Sequence, residues 1–182
     1  MKKGGYYWLA ARWSNLLLAC ADCNRPRKQF DSDGKVRLIG KGEYFPIENE
    51  SKRATSGAML AGETPQLLDP CADDPEQHLV FLDNGGVEAA EVNGVVSTKG
   101  QATIYYCGLA RAELLQMRAR HRILVMAAVR HIVLALEAGN DPGADLDDLL
   151  QMLQPTEPYV AFTRHLVRTH LAPYLDAIHI NV

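Results

Sequence analysis

Trp13-Ser14-Asn15-Leu16-Leu17-Leu18-Ala19-Cys20-Ala21-Asp22-Cys23-Asn24-Arg25-Pro26-Arg27-Lys28 holds the densest chemistry in the chain. An apolar run leads into a Cys-x-x-Cys pair, and a cluster of cations follows. The turn between two such cysteines suits the tetrahedral S–Zn–S angle, so Cys20 and Cys23 can give two thiolates to one Zn²⁺. Zinc takes about four ligands, and Cys71 and Cys107 are not at ligand spacing from each other. The stretch reads either as half a metal site or as two cysteines buried in an apolar turn. Redox Cys-x-x-Cys chemistry lacks its usual strand-to-helix βαβ surroundings here. Pro26 limits any helix at this point.

Around this stretch the composition is that of an ordinary globular protein. The chain has 182 residues, 47% hydrophobic and 23% charged, enough for one domain with a core. Gly and Pro contents exclude collagen-like and low-complexity classes. The longest uncharged apolar run, Ile123 to Val129, is far short of the roughly 20 residues a membrane span needs. Lys2 and Lys3 lead into Gly-Gly-Tyr-Tyr-Trp rather than an apolar signal segment, so a cytoplasmic location is expected. Four cysteines in this length do not make a disulfide scaffold.

Charge is unevenly spread. Residues 1–45 carry nine Lys/Arg against four Asp/Glu, residues 46–100 three against ten, and residues 101–182 seven against eight. A basic N-terminal quarter on a mildly acidic chain suits a local polyanion site, although charge runs are usually solvated faces.

The chain is expected to be α+β, with a small antiparallel sheet and a helical C-terminal half. Residues 31–44 read as loop and residues 48–64 as a mobile surface loop. The run from His78 to Leu82 reads as a strand ending at the turn Asp83-Asn84-Gly85-Gly86, and Val87 to Val92 as its return. Gln101 to Cys107, rich in β-branched and aromatic residues, reads as a third strand. From Leu109 to Leu136 apolar residues recur at helical spacing, up to Gly139. A short acidic helix over Asp145 to Leu153 follows. Thr156 is the expected N-cap of the last helix, with Pro173 kinking or restarting it. The expected division is 1–46, 47–108 and 109–182 within one compact domain.

A family likeness emerges from these motifs. Tyr7-Trp8-Leu9-Ala10, Trp13-Ser-Asn15-Leu16-Leu17, Cys20-x-x-Cys23-Asn24 with Lys28, and Phe45-Pro46 resemble the second half of an HNH endonuclease motif. Leu68-Asp69-Pro70, Asp74-Pro75-Glu76-x-His78-Leu79-Val80-Phe81, Gly100-x-Ala-Thr103-Ile104 and Gly108-Leu109-Ala110-Arg111 are similar to the region downstream of that motif. The resemblance implies the remnant of a ββα-metal finger and a hydrolase acting on phosphodiesters of DNA, or of RNA. In that chemistry a His serves as general base and a Mg²⁺-type ion stabilises developing charge. It implies that Asn15 orients the loop carrying the base and that Asn24 ligates or orients the metal. Cys20 and Cys23 would be one structural zinc pair, and Arg25, Arg27 and Lys28 would contact phosphates. Some members of the resembled branch are paired with ATPases in antiphage defence, which implies a partner protein.

The first half of the motif, with its Cys pair and its Asp/Glu-His step, lies upstream of the Tyr-Tyr-Trp segment in the family. The chain begins at Met1-Lys-Lys-Gly-Gly-Tyr6, so a truncated product or a misplaced start is expected. None of the six histidines sits in a matching context. The alternative is a non-catalytic module that binds nucleic acid or a partner without the base. With half its zinc ligands, the finger would forgo stabilisation on the order of 10 kcal/mol, leaving the helical half to supply the core.

Weaker features carry plainer readings. The basic string Arg118-x-Arg120-His121-Arg122, in which Arg118 and Arg122 share a face with Arg111, reads as a solvated helix face rather than a phosphate- or partner-binding stripe. Asp145, Asp147 and Asp148 suit a helix N-terminus. His165 and His170 are five apart and form no i,i+4 ligand pair. Tyr6, Tyr7, Trp8 and Trp13 are expected to pack around a small finger rather than stack on bases.

Overall fold

A computed structural model describes residues 5–180. Its chain forms an α+β fold in two compact units. Among the described residues, one takes residues 5–80 together with Glu88–Ala112, and the other takes Phe81–Val87 with residues 113–180.

The first unit is built from short elements. Two 3₁₀ turns, Tyr7–Leu9 and Trp13–Asn15, precede helix α1 (Ala21–Asn24). Strands β1 (Arg27–Phe30) and β2 (Val36–Ile39) then pair antiparallel, with Arg27 opposite Ile39 and Phe30 opposite Val36. This corrects the loop expected over residues 31–44. The turn chemistry explains it: Asp31 Oδ1 accepts the backbone N–H groups of Asp33 (3.0 Å) and Lys35 (2.8 Å), so the Asp-Ser-Asp-Gly stretch is a hairpin tip. The stretch over residues 48–64 contains two 3₁₀ segments, Glu50–Lys52 and Gly57–Gly62, the first capped by Asn49 accepting from Ser51 N.

The expected small antiparallel sheet content takes the form of three two-stranded ladders among the described residues. Besides β1–β2, strand β3 (Leu79–Phe81) pairs with β4 (Val87–Ala89), and β5 (Glu91–Val92) with β6 (Val95–Val96). The Asp83–Gly86 turn signal is realised, with Gly85 N donating to Leu82 O at 2.8 Å.

The third strand expected over Gln101–Cys107 is instead helix α2 (Thr98–Cys107). Its ends decide this against strand propensity. Ser97 Oγ accepts the Gly100 N–H at 3.0 Å as an N-cap, and Gly108, in the left-handed conformation at φ 62°, closes the C-terminus. Side chains are barred at both glycines: a Cβ on Gly100 would strike the His78 carbonyl, and one on Gly108 would strike Ile39 Cγ2. Helix α2 thus lies at backbone distance from His78 and against the Ile39 side chain of the hairpin.

In the second unit, helices α3 (Ala112–Glu137), α4 (Gly143–Met152) and α5 (Val160–His170) bury one apolar cluster. Val125, Ile132, Leu149, Phe162, Leu166, Val167 and Leu171 are fully buried in it. Val125, Val129 and Ile132 recur at the spacing that the helical pattern predicts. Two expectations are corrected here. Helix α5 starts after Tyr159, in the left-handed region at φ 61°, so Thr156 is not its N-cap. Arg118 is not on a solvated face: it is 4% exposed, donates to Gly85 O at 3.1 Å and lies over the Phe81 ring. A 3₁₀ turn over Ala172–Tyr174 restarts the chain around Pro173. No helix among the described residues is long and apolar enough to cross a membrane.

Candidate functional site

The residues singled out from the sequence gather in the first unit around α1. Cys20 stands at its N-cap position and Cys23 one turn on, so the Cys-x-x-Cys pair occupies a single short turn of helix. Backbone contacts lock this turn to the end of the β1–β2 hairpin: Lys41 N donates to Cys23 O and Gly42 N to Asn24 O, both at 2.7 Å. Gln29 Nε2 adds bonds to Asp22 O and Ile39 O, each 3.2 Å.

Arg111, at the end of the Gly108-Leu-Ala-Arg string, completes the arrangement. Its guanidinium donates to Cys23 Sγ at 3.4 Å, to Cys20 Sγ at 4.0 Å and to Gly108 O at 3.1 Å. It is 5% exposed. A buried guanidinium is costly unless its environment is electron-rich, and two polarisable sulfurs supply that. The two thiols nevertheless diverge. The Cys23 backbone N–H, aided by Arg111, holds the exposed Cys20 thiol below its ordinary range, whereas burial pushes Cys23 up. Burial also raises Cys107, with Cys23 adding to it. Arg111 is the site residue that sequence reasoning missed. Helical spacing sets it on a face with Arg118 and Arg122; the signal that marks it is its place in the Gly-Leu-x-Arg string.

Asn15 ends the second 3₁₀ turn, and its Nδ2 donates to Leu9 O at 3.3 Å, pinning the first turn to the second. Asn24 ends α1 with an exposed side chain. Arg25, Arg27 and Lys28 are exposed along the start of the hairpin, and Arg27 is paired with Asp22. The cysteines, Asn24 and the three cations are therefore brought together on one helix–hairpin junction.

The aromatic tract divides. Tyr6 and Trp8 pack edge-on at 5.7 Å, and Tyr6 meets Phe45 at 5.4 Å. Tyr6 Oη donates to Glu63 and accepts from Arg53 Nη1 at 2.6 Å; burial and the Glu63 bond push its pKa up to about 12. Tyr7 and Trp13, by contrast, are 79% and 87% exposed, which corrects the expectation that all four pack inward.

Among the described residues no group of three or more His, Cys, Asp or Glu is placed to hold a metal ion. Cys20 and Cys23 fit half a tetrahedral zinc shell, and the described residues do not fit a complete zinc or magnesium centre. Five of the six histidines are engaged elsewhere. His78 bonds Ser97, His121 bonds Thr163, His131 bonds Asp145, and His165 and His170 both bond Asp83.

With this geometry in view, known proteins offer a direct comparison. The chain is similar to Septu proteins. It is 44% identical over 116 residues, 64% of its length, to Septu protein PtuB of Bacillus mycoides (strain KBAB4). It is 31% identical over 116 residues, 63% of its length, to Septu protein PtuA of the same strain. It spans 34% of that PtuB and 14% of that PtuA. No family model matches the chain, and no solved structure matches it.

Proposed function

We propose that this chain belongs to the HNH endonuclease lineage and works in antiphage defence, as a subunit that engages DNA for phosphodiester hydrolysis beside a partner protein. RNA is the second substrate class, and an ATPase is the partner that the resembled branch implies. The observation that carries the reading is the 44% identity to PtuB. The helix–hairpin junction supports it, because it sets Cys20, Cys23 and Asn24 next to the cations Arg25, Arg27 and Lys28.

In this reading each residue has a physical task. Asn15 is a positioning residue: its bond to Leu9 O fixes the backbone that would carry a base-bearing segment. Asn24 presents an uncharged amide beside the basic hairpin, where its oxygen would ligate or orient the metal ion. Arg25 and Lys28 neutralise phosphates. Arg111 holds the two sulfurs at the N-terminal turn of α1. Cys20 and Cys23 would supply half of a structural Zn²⁺ shell, the other half coming from a further segment or a second chain. Catalytic Mg²⁺ and the general base would likewise come from outside the described residues.

The test is nicking of supercoiled plasmid by the chain together with the further segment or partner protein that supplies the base, with Mg²⁺ and with EDTA. The expected result is Mg²⁺-dependent nicking that falls by about 100-fold or more in Asn24→Ala, the scale of a lost group at a hydrolytic centre. The second reading, a binding module without catalysis, is favoured by five of the six histidines, whose rings bond Ser97, Thr163, Asp145 and Asp83 rather than the α1 junction. Plasmid retention without nicking selects that module. Nicking unchanged in Asn15→Ala and Asn24→Ala removes the assigned residues from the chemistry.

A further inference from the structure

The β1–β2 hairpin has two unlike faces. Its alternation puts Arg27, Gln29, Arg37 and Ile39 on one side and Lys28, Phe30, Val36 and Leu38 on the other. The first side is committed to the unit. Gln29 bonds the backbone of α1 and β2, Ile39 lies against Gly108, and Arg27 and Arg37 pair with Asp22 and Asp31. The second side is bare. Phe30, Val36 and Leu38 are 59%, 57% and 73% exposed, and Lys28 sits beside them, directly across from Leu38.

An exposed antiparallel face is normally polar, so three apolar side chains there ask for a ligand. Charge identifies its sign. Residues 25–41 hold six Lys/Arg against two Asp/Glu. With Arg27 and Arg37 neutralised by their partners, the excess lies on Arg25, Lys28 and Lys35, all exposed. The ligand is therefore a polyanion that also offers flat apolar surface. A second copy of the chain would set like charges against each other. A duplex offers phosphates but keeps its bases stacked inside, out of reach of Phe30.

We propose that the outward face of the β1–β2 hairpin is a platform for unpaired nucleic acid, with one base stacking on Phe30 between Val36 and Leu38 while Lys28, Lys35 and Arg25 follow the backbone phosphates. The proposal rests on the nucleic-acid reading above and narrows it to a single strand. Stacking on an aromatic side chain tolerates any base, so the platform holds a strand irrespective of sequence.

Fluorescence anisotropy of the full chain with a labelled oligo-dT strand, and with a duplex of the same length, tests it. Phe30→Ala is expected to weaken the single strand about tenfold and the duplex by less than about twofold, and Phe30→Trp to retain binding. Replacing Lys28 and Lys35 with Gln should flatten the salt dependence for the single strand by about 1.4 in log–log slope. Phe30 is exposed, and circular dichroism of both variants confirms that they fold. Wild-type binding of oligo-dT by Phe30→Ala overturns the platform. Duplex bound as tightly as the single strand overturns it too, while leaving the nuclease-lineage reading in place. Binding to neither form sinks both. A change of oligomeric state in Phe30→Ala, with nucleic-acid affinity unaltered, makes the face a protein interface and overturns the proposal.

Discussion

The helical unit and the N-terminal unit are held by different physics. In the helical unit, side chains from α3, α4 and α5 are withdrawn completely from water, and few polar contacts are needed inside. The N-terminal unit buries scattered small groups such as Ile47, Ala54, Leu67 and Leu79, and relies on particular bonds: Arg111 on the cysteines, Lys99 on Asp73, Tyr6 between Glu63 and Arg53. Apolar burial is non-directional and survives many substitutions of similar size, whereas a network of specific donors and acceptors fails at single positions. The chemistry-bearing residues lie in the second kind of structure.

This contrast can be broken or sharpened by mutation. Phe162→Ala should have the largest effect, about 3–5 kcal/mol, since it empties the centre of the helical cluster. Denaturant unfolding measures the loss, and amide hydrogen exchange locates it. Acceleration confined to α3–α5 sharpens the contrast, while equal acceleration in the β1–β2 hairpin breaks it.

Arg111→Met comes next, at about 1–3 kcal/mol, because it strips the sulfurs of their donor and leaves Gly108 O with only the residue 111 backbone N–H. Amide exchange should quicken in α1 and the hairpin, and Cys23 should react faster with a thiol reagent. Unaltered protection at Cys23 would mean that the backbone bonds from Lys41 and Gly42 suffice.

Asp73→Asn should cost about 1–2 kcal/mol at neutral pH through the lost Lys99 contact. Lys99 holds the Asp73 carboxyl below the usual carboxylate range. A carboxyl depressed by folding adds stability above its unfolded pKa, and that stability is lost as pH falls through the folded value. Wild type should therefore converge on the variant below about pH 4. A gap that persists in acid would assign the effect to something other than the ion pair.

The same contrast explains what the sequence made legible. Helices α3 to α5 and the Asp83–Gly86 turn could be read because apolar periodicity and turn residues are local signals. Helix α2 could not: Ile104, Tyr105 and Tyr106 suggest a strand, and the outcome depends on the Ser97 cap and on glycines that let the chain approach His78 and Ile39. The β1–β2 hairpin was hidden because β2 carries only four residues and its tip reads as loop. Around the candidate site, the Cys-x-x-Cys pair was plain, but its partner Arg111 lies 88 residues beyond Cys23 and no local pattern links them.

That separation has a consequence in time. Cys20 leaves the ribosome 91 residues ahead of Arg111. At about 5–20 residues per second, the nascent thiols wait roughly 5–20 s before the guanidinium that covers them is synthesised. During synthesis Cys23 is open to oxidants, chaperones and metal ions in a way the finished protein, where it is half-buried beside an exposed Cys20, is not, and the order of translation itself decides what the two sulfurs meet first.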